Sequence, residues 1–135
     1  MKRGKKNYLV LYNDIPVGIV GFTDIDETNK SAHLWILLGD KTYRKKGIIT
    51  VGQVLALKKV FHELNLHSIN IWITDGNISK KASQKFPFKP IGRQRECHLV
   101  DGVFKDRIHF DMLRDDFEKE FMPETDEKVS PTLDV

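Results

Sequence analysis

Short apolar runs broken by turn residues fill the first third of the chain. Tyr8–Tyr12 ends at Asn13-Asp14, and Pro16–Ile25 carries Gly18 and Gly21 inside an apolar stretch. This pattern predicts two strands joined as a hairpin, with the glycines at a bulge or a close backbone approach. Ala32–Leu38 is apolar almost without interruption and predicts a third strand, buried on both faces in the middle of a sheet. From Thr50 to Leu64 the period changes. Val54, Leu57, Phe61 and Leu64 recur at three- and four-residue steps, one face of a helix, and Thr50 with Gln53 fits a capping box at its start. Ser68–Thr74 predicts a strand closed by Asp75-Gly76-Asn77, and Ile78–Lys85 a short helix stopped before Pro87. Gly92–Val100 and Val103–Leu113 predict two strands joined through Asp101-Gly102, a hairpin turn signal.

The predicted order is β-β-β-α-β-α-β-β, an α/β (α+β) domain built on one mixed sheet. The third and fourth strands flank the long helix, so they should run parallel through a right-handed crossover. A chain of 135 residues suits a single domain with a real core. The one cysteine, Cys97, forms no internal disulfide, and no apolar run approaches the roughly 20 residues that span a bilayer. Both point to a cytoplasmic protein without a membrane partner.

Charge adds a division. Residues 1–113 carry 19 Lys and Arg against 11 Asp and Glu, a balance of +8, whereas residues 114–135 carry 3 against 8, a balance of −5. The expected organisation is a basic domain over 1–115 and an acidic, flexible tail over 116–135. A basic body attracts polyanions, either a phosphorylated cofactor or nucleic acid. The basic, glycine-containing run Tyr43–Thr50 leads into the long helix, where free N–H groups and the helix dipole favour a phosphate. A solvated basic turn is the plainer alternative. With no stacking-aromatic motif, the nucleic-acid reading is the weaker one. The five histidines form no i, i+4 pair and there is no cysteine cluster, so no metal site is expected.

Three stretches carry a resemblance to a known family. Arg44-Lys45-Lys46-Gly47-Ile48-Ile49 resembles the Q/R-x-x-G-x-G/A signature of the GNAT N-acetyltransferases. Asp75–Ser79 through Lys85-Phe86-Pro87-Phe88 is similar to that family's segment after its fifth strand. Asp101–Asp106 resembles the closing hairpin of its ribosomal-protein and polyamine acetyltransferase branch. Ile49 departs from the Gly or Ala of the signature, and Pro87 stands in place of a usual Gly. The family's first strand and two following helices have no counterpart ahead of Tyr8.

The resemblance implies acetyl-CoA as cofactor and direct acetyl transfer to a primary amine, borne by a polyamine, an amino sugar or a protein N-terminus. Its implied cofactor contacts are Arg44, Lys45, Lys46, Gly47, Ile48, Ile49 and Thr50 at the diphosphate. Leu37 and Leu38 would use their backbone on the pantetheine arm, with Asn77 at its amides and Lys85 near the adenosine phosphate. Many members use a tyrosine as acid where Ser83 stands here, so Ser83 or a water is the candidate proton donor. His33 is the candidate base acting through water; a hydrogen-bonded structural histidine is the alternative. A homodimer, or another polypeptide, that helps close the acceptor side is expected. The rival function is a module that binds acyl-CoA in this fold without turnover.

Overall fold

The computed structural model describes residues 4–39, 47–76, 85–121 and 129–133. In chain order the elements are β1 (Gly4–Tyr12), β2 (Ile15–Asp26), β3 (Ser31–Leu38), α1 (Ile48–Leu64), β4 (Ser68–Thr74), β5 (Lys89–Val100), β6 (Val103–Leu113), α2 (Arg114–Glu120) and β7 (Val129–Leu133). They build a seven-stranded mixed sheet in the order β5-β6-β4-β3-β2-β1-β7. Both expected hairpins are present. The turn between β5 and β6 has positive φ at Asp101 (49°) and Gly102 (76°), the backbone of a tight primed turn. The short helix expected over Ile78–Lys85 falls largely outside the described residues.

Alternation of side chains along each strand divides the sheet into two faces. One face carries Val10, Val20, Phe22, Ala32, Leu34, Ile69 and Met112, all buried, with α1 laid across it through Val54, Ala56, Leu57, Val60 and Phe61. The buried stripe of α1 is wider than the four expected positions because Gly52 and Gln53 also turn inward. At Gly52 the helix approaches β1 so closely that an added Cβ would meet Val10 Cγ1 at 2.6 Å and Cγ2 at 2.8 Å. Val10 is fully buried and branched, so it has no room to retreat. Gly52→Ala should therefore destabilise the protein by about 1–2 kcal/mol despite alanine's better helix propensity, a loss that urea denaturation would read.

Two expectations require correction. Ile36 and Leu37 at the end of β3 are 39 % and 56 % exposed, not buried on both faces. The apolar run there belongs to a strand that loses its neighbour, as described below. The acidic end was expected to be a flexible tail, yet it contributes α2 and β7. Phe117 is buried, with its ring 5.4 Å from Phe61 and 5.2 Å from Phe121, and Phe121 reaches Phe86 at 5.0 Å. This aromatic pair at i, i+4 outweighs the surrounding charge. β7 pairs antiparallel with β1 from Tyr8↔Leu133 to Tyr12↔Val129, satisfying what would otherwise be an open edge.

Candidate functional site: a wedge between two parallel strands

β3 and β4 pair in parallel over only three positions, Ser31↔Ser68, Ala32↔Ile69 and His33↔Asn70. Beyond that point they separate. The closed end is pinned by backbone: Lys30 O accepts from His67 N at 2.7 Å and from Ser68 N at 3.1 Å, and His67 O accepts from Arg114 N at 2.8 Å. Asp26, buried at the end of β2, accepts through Oδ1 from Thr28 N and Asn29 N in the following turn at 3.0 Å each. The far end of β4 is held outward by a clamp on the other neighbour. Arg93 Nη1 donates to Asp75 Oδ2 and Asp106 Oδ2 at 2.9 Å each, and Asp106 Oδ1 accepts from Glu96 N at 2.8 Å. Asp75 N donates to Asp106 O at 2.9 Å.

The Glu96 amide, and then the Arg93 guanidinium, hold the Asp106 carboxyl below its ordinary range. A carboxylate whose folded value is depressed stabilises the protein fully above its unfolded value, and that contribution is lost as pH falls through the folded value. Asp106→Asn should therefore be less stable than the parent at pH 7. The difference should shrink as pH falls below the unfolded range of about 4 and vanish once pH is below the folded value, when urea midpoints are compared.

Between the separated strands lies a cavity of about 350 Å³. Its walls are Leu34, Ile36 and Leu38 from β3, Ile71, Trp72 and Ile73 from β4, Ile49, Thr50 and Gln53 from α1, and Phe88. His33 lies at its closed end and Thr74 also contributes. None of these residues is acidic or basic apart from His33. From Leu38 down to His33 the wedge is roughly 16 Å deep at about 3.3 Å per residue. Along that depth the β4-facing edge of β3 lacks a strand partner, so backbone N–H and C=O groups are available to a ligand.

The first turn of α1 overlooks the mouth of the wedge. The helix begins at Ile48, two residues before the expected Thr50, because Gly47 rather than a Thr50–Gln53 capping box starts it. Gly47 sits in the left-handed region at φ 68°, ψ 8°, and no side chain caps the helix. Among the described residues an added Cβ at Gly47 would meet nothing within 4 Å. Helix geometry leaves the first N–H groups without internal partners, and no acidic residue lies in that turn. The side chain of Ile49 points toward the sheet: its Cδ1 would lie 2.9 Å from a Cβ on Gly18. The missing side chain at Gly18 thus takes up the bulk that Ile49 brings.

Of the expected site residues, Gly47, Ile48, Ile49 and Thr50 come together at this helix start, with Leu38 and His33 on the wedge. Leu37 is exposed and is not part of the cavity wall. Lys85 is exposed and is not part of the cavity wall. Arg44, Lys45, Lys46, Asn77 and Ser83 lie outside the described residues. Trp35 and Trp72 both line the cavity. Trp35 lies flat across Gly21, where an added Cβ would fall 2.0 Å from Cε2 of the indole.

Two residues escaped the sequence reading. Gln53 is only 8 % exposed, faces the cavity, and has no hydrogen-bond partner among the described residues. Asn70 bonds His33: His33 Nδ1 and Asn70 Oδ1 are 2.9 Å apart, and Asn70 Nδ2 donates to Ala32 O at 3.1 Å. A polar residue inside the apolar run of β4 was the signal for Asn70. Gln53 gave none beyond its misread role as a cap. Among the described residues no group of three His, Cys, Asp or Glu is placed to hold a metal ion.

A mixed sheet whose central parallel pair parts around a cavity, with a helix N-terminus at its mouth, is the fold of the GNAT N-acetyltransferases. Spermidine/spermine N-acetyltransferase SpeG from Vibrio cholerae superposes with a TM-score of 0.77 at 20 % identity, over 85 % of this chain and 68 % of that one. A spermidine N-acetyltransferase from Vibrio cholerae in complex with CoA and spermine gives a TM-score of 0.68 at 22 %, over 76 % of this chain and 61 % of that one. In sequence, the chain is 27 % identical over 114 residues to the Bacillus subtilis protein named "Putative ribosomal N-acetyltransferase YdaF", covering 82 % of this chain. It is 32 % identical over 81 residues to "Probable N-acetyltransferase YjcK" of the same organism, covering 59 %. The chain spans 61 % of the length of the first and 45 % of the second. No family model matches the chain.

Proposed function

We propose that this protein is an acetyl-CoA-dependent N-acetyltransferase that passes the acetyl group directly from thioester to primary amine. The observation that carries this reading is the three-rung ladder that ends at His33↔Asn70 and opens into the wedge beneath the start of α1. The diphosphate would lie on the N–H groups after Gly47, where the helix dipole favours negative charge. The thioester arm would enter the wedge, pairing its amides with the free edge of β3 and with Gln53. Its carbonyl would then end near His33.

An amine arrives as an ammonium ion, and Nε2 of His33 accepts one proton from it, directly or through water. The freed lone pair attacks the thioester carbonyl. Collapse of the tetrahedral adduct would break the C–S bond, with the nitrogen giving up its second proton to water and the thiolate taking one from water or from Ser83, which the released proton then restores. Holding amine and thioester together supplies much of the acceleration. The acceptor class is a primary amine. Spermidine and spermine head the test panel because SpeG is named for them, followed by peptide N-termini because of the name given to YdaF.

Incubation with acetyl-CoA and the panel, reading free thiol, tests the reaction. Thiol release that depends on an amine is expected; stabilisation by acetyl-CoA with no thiol release from any amine would instead identify a binding module. Gln53 separates stability from function. Gln53→Leu replaces a cavity-facing amide with an apolar side chain of similar size, so it should leave stability within about 1 kcal/mol while weakening CoA binding by about 5–10-fold. Thermal denaturation with and without CoA reads both effects.

A further inference from the structure

We infer that Asn70 is a positioning residue that holds His33 in its Nδ1–H tautomer and leaves the lone pair of Nε2 free at the closed end of the wedge. The logic starts from the amide. Asn70 Nδ2 donates to Ala32 O at 3.1 Å, which fixes the amide's orientation and places Oδ1, 2.9 Å away, on His33 Nδ1. An amide oxygen only accepts, so Nδ1 carries the proton. A neutral imidazole protonated at Nδ1 has its lone pair on Nε2. Nε2 has no partner among the described residues.

The ring is fixed from its face as well. Trp72 stacks on it with centroids 6.2 Å apart and planes 28° apart. Trp72 also packs against Arg107, with its guanidinium carbon 3.9 Å from the ring centroid, and against His98, at 5.5 Å between centroids. Arg107 Nη2 donates to His98 Nδ1 at 2.9 Å. The Trp72 indole is thus held by these neighbours while it supports His33. Register explains why the pair forms where it does. His33 and Asn70 are the last paired residues before β3 and β4 separate, so their side chains meet at the apex of the wedge. One residue further along the ladder has ended. The reacting carbonyl of a ligand in the wedge would approach this apex.

The role in turnover rests on the proposed acetyl transfer; the tautomer does not. Long-range ¹H–¹⁵N spectra of the whole protein, at a pH where imidazole is neutral, give the protonation of each His33 nitrogen. The parent should show Nδ1 protonated and Nε2 bare. Asn70→Leu should shift the ring toward Nε2–H. Asn70→Asp, which still accepts at Nδ1, should keep the parent tautomer. In the acetylation assay, Asn70→Leu should lower kcat by about 10-fold or more, part of the 10²–10⁴ a positioned base supplies, with KM for acetyl-CoA within about twofold. Asn70→Asp should restore kcat to within about threefold of the parent. An Nε2–H tautomer in the parent protein would overturn the inference without need of any variant. So would a Leu variant with unchanged tautomer and unchanged kcat. If no amine is acetylated, the proposed function fails and the tautomer still decides the role of Asn70.

Discussion

Replacing His33 with glutamine should lower kcat about 100-fold while leaving the affinity for acetyl-CoA within about threefold of the parent. Glutamine keeps a polar side chain next to Asn70 but cannot accept a proton near neutral pH. The wedge walls and the helix start are untouched by the change, so cofactor binding should persist. The split matters: a residue needed only for packing would lower stability, or affect kcat and binding together. Steady-state rates with the best amine of the panel, paired with CoA titrations of the same variant, read the two quantities. An unchanged kcat would mean that the ammonium proton leaves by a route that avoids His33.

The second large effect is on stability. A ligand that binds only the folded state at 100 times its dissociation constant adds about 2.7 kcal/mol. For a chain of this length that corresponds to a rise in Tm of roughly 10 °C. Acetyl-CoA and CoA should both produce it, because the diphosphate and the arm are common to the two. ATP lacks the arm that fills the wedge and should give a much smaller shift. Equal shifts from ATP and CoA would place the binding energy in the basic loop alone and leave the cavity without a role. A rise that disappears in moderate salt would argue the same way, since exposed phosphate contacts are screened whereas a filled apolar cavity is not.

Much of the fold was legible because each central element carries a clean period. The short apolar runs of β1 and β2 bounded by turn residues, the three- and four-residue steps of α1 and the apolar run of β4 each specify one structure. Their order then fixes the parallel crossover. What escaped depends on contacts between distant parts of the chain. Thr50 and Gln53 look like a capping pair, but Gly47 adopts the left-handed backbone and starts the helix earlier, which frees Gln53 to turn into the cavity. Charge counting made a tail of residues 116–135, although Phe117 and Phe121 pack on Phe61 and Phe86. The unbroken apolarity of Ala32–Leu38 suggested burial on both faces. In fact half of that strand lines a gap that β4 has left. His33 stood out as the titratable residue on the central strand, but its partner could not be read from the sequence. Asn70 is 37 positions away, and only the parallel register brings the two together.

Assigned backbone amide spectra recorded during a CoA titration test the central claim most directly. Shifts concentrated at Trp35–Leu38, Gly47–Val51 and Ile71–Thr74 are expected, because those groups form the edge of β3, the start of α1 and the opposite wall. Saturating CoA that leaves these amides unmoved, or moves only those of Gly4–Lys6 or the β5–β6 turn, would contradict it.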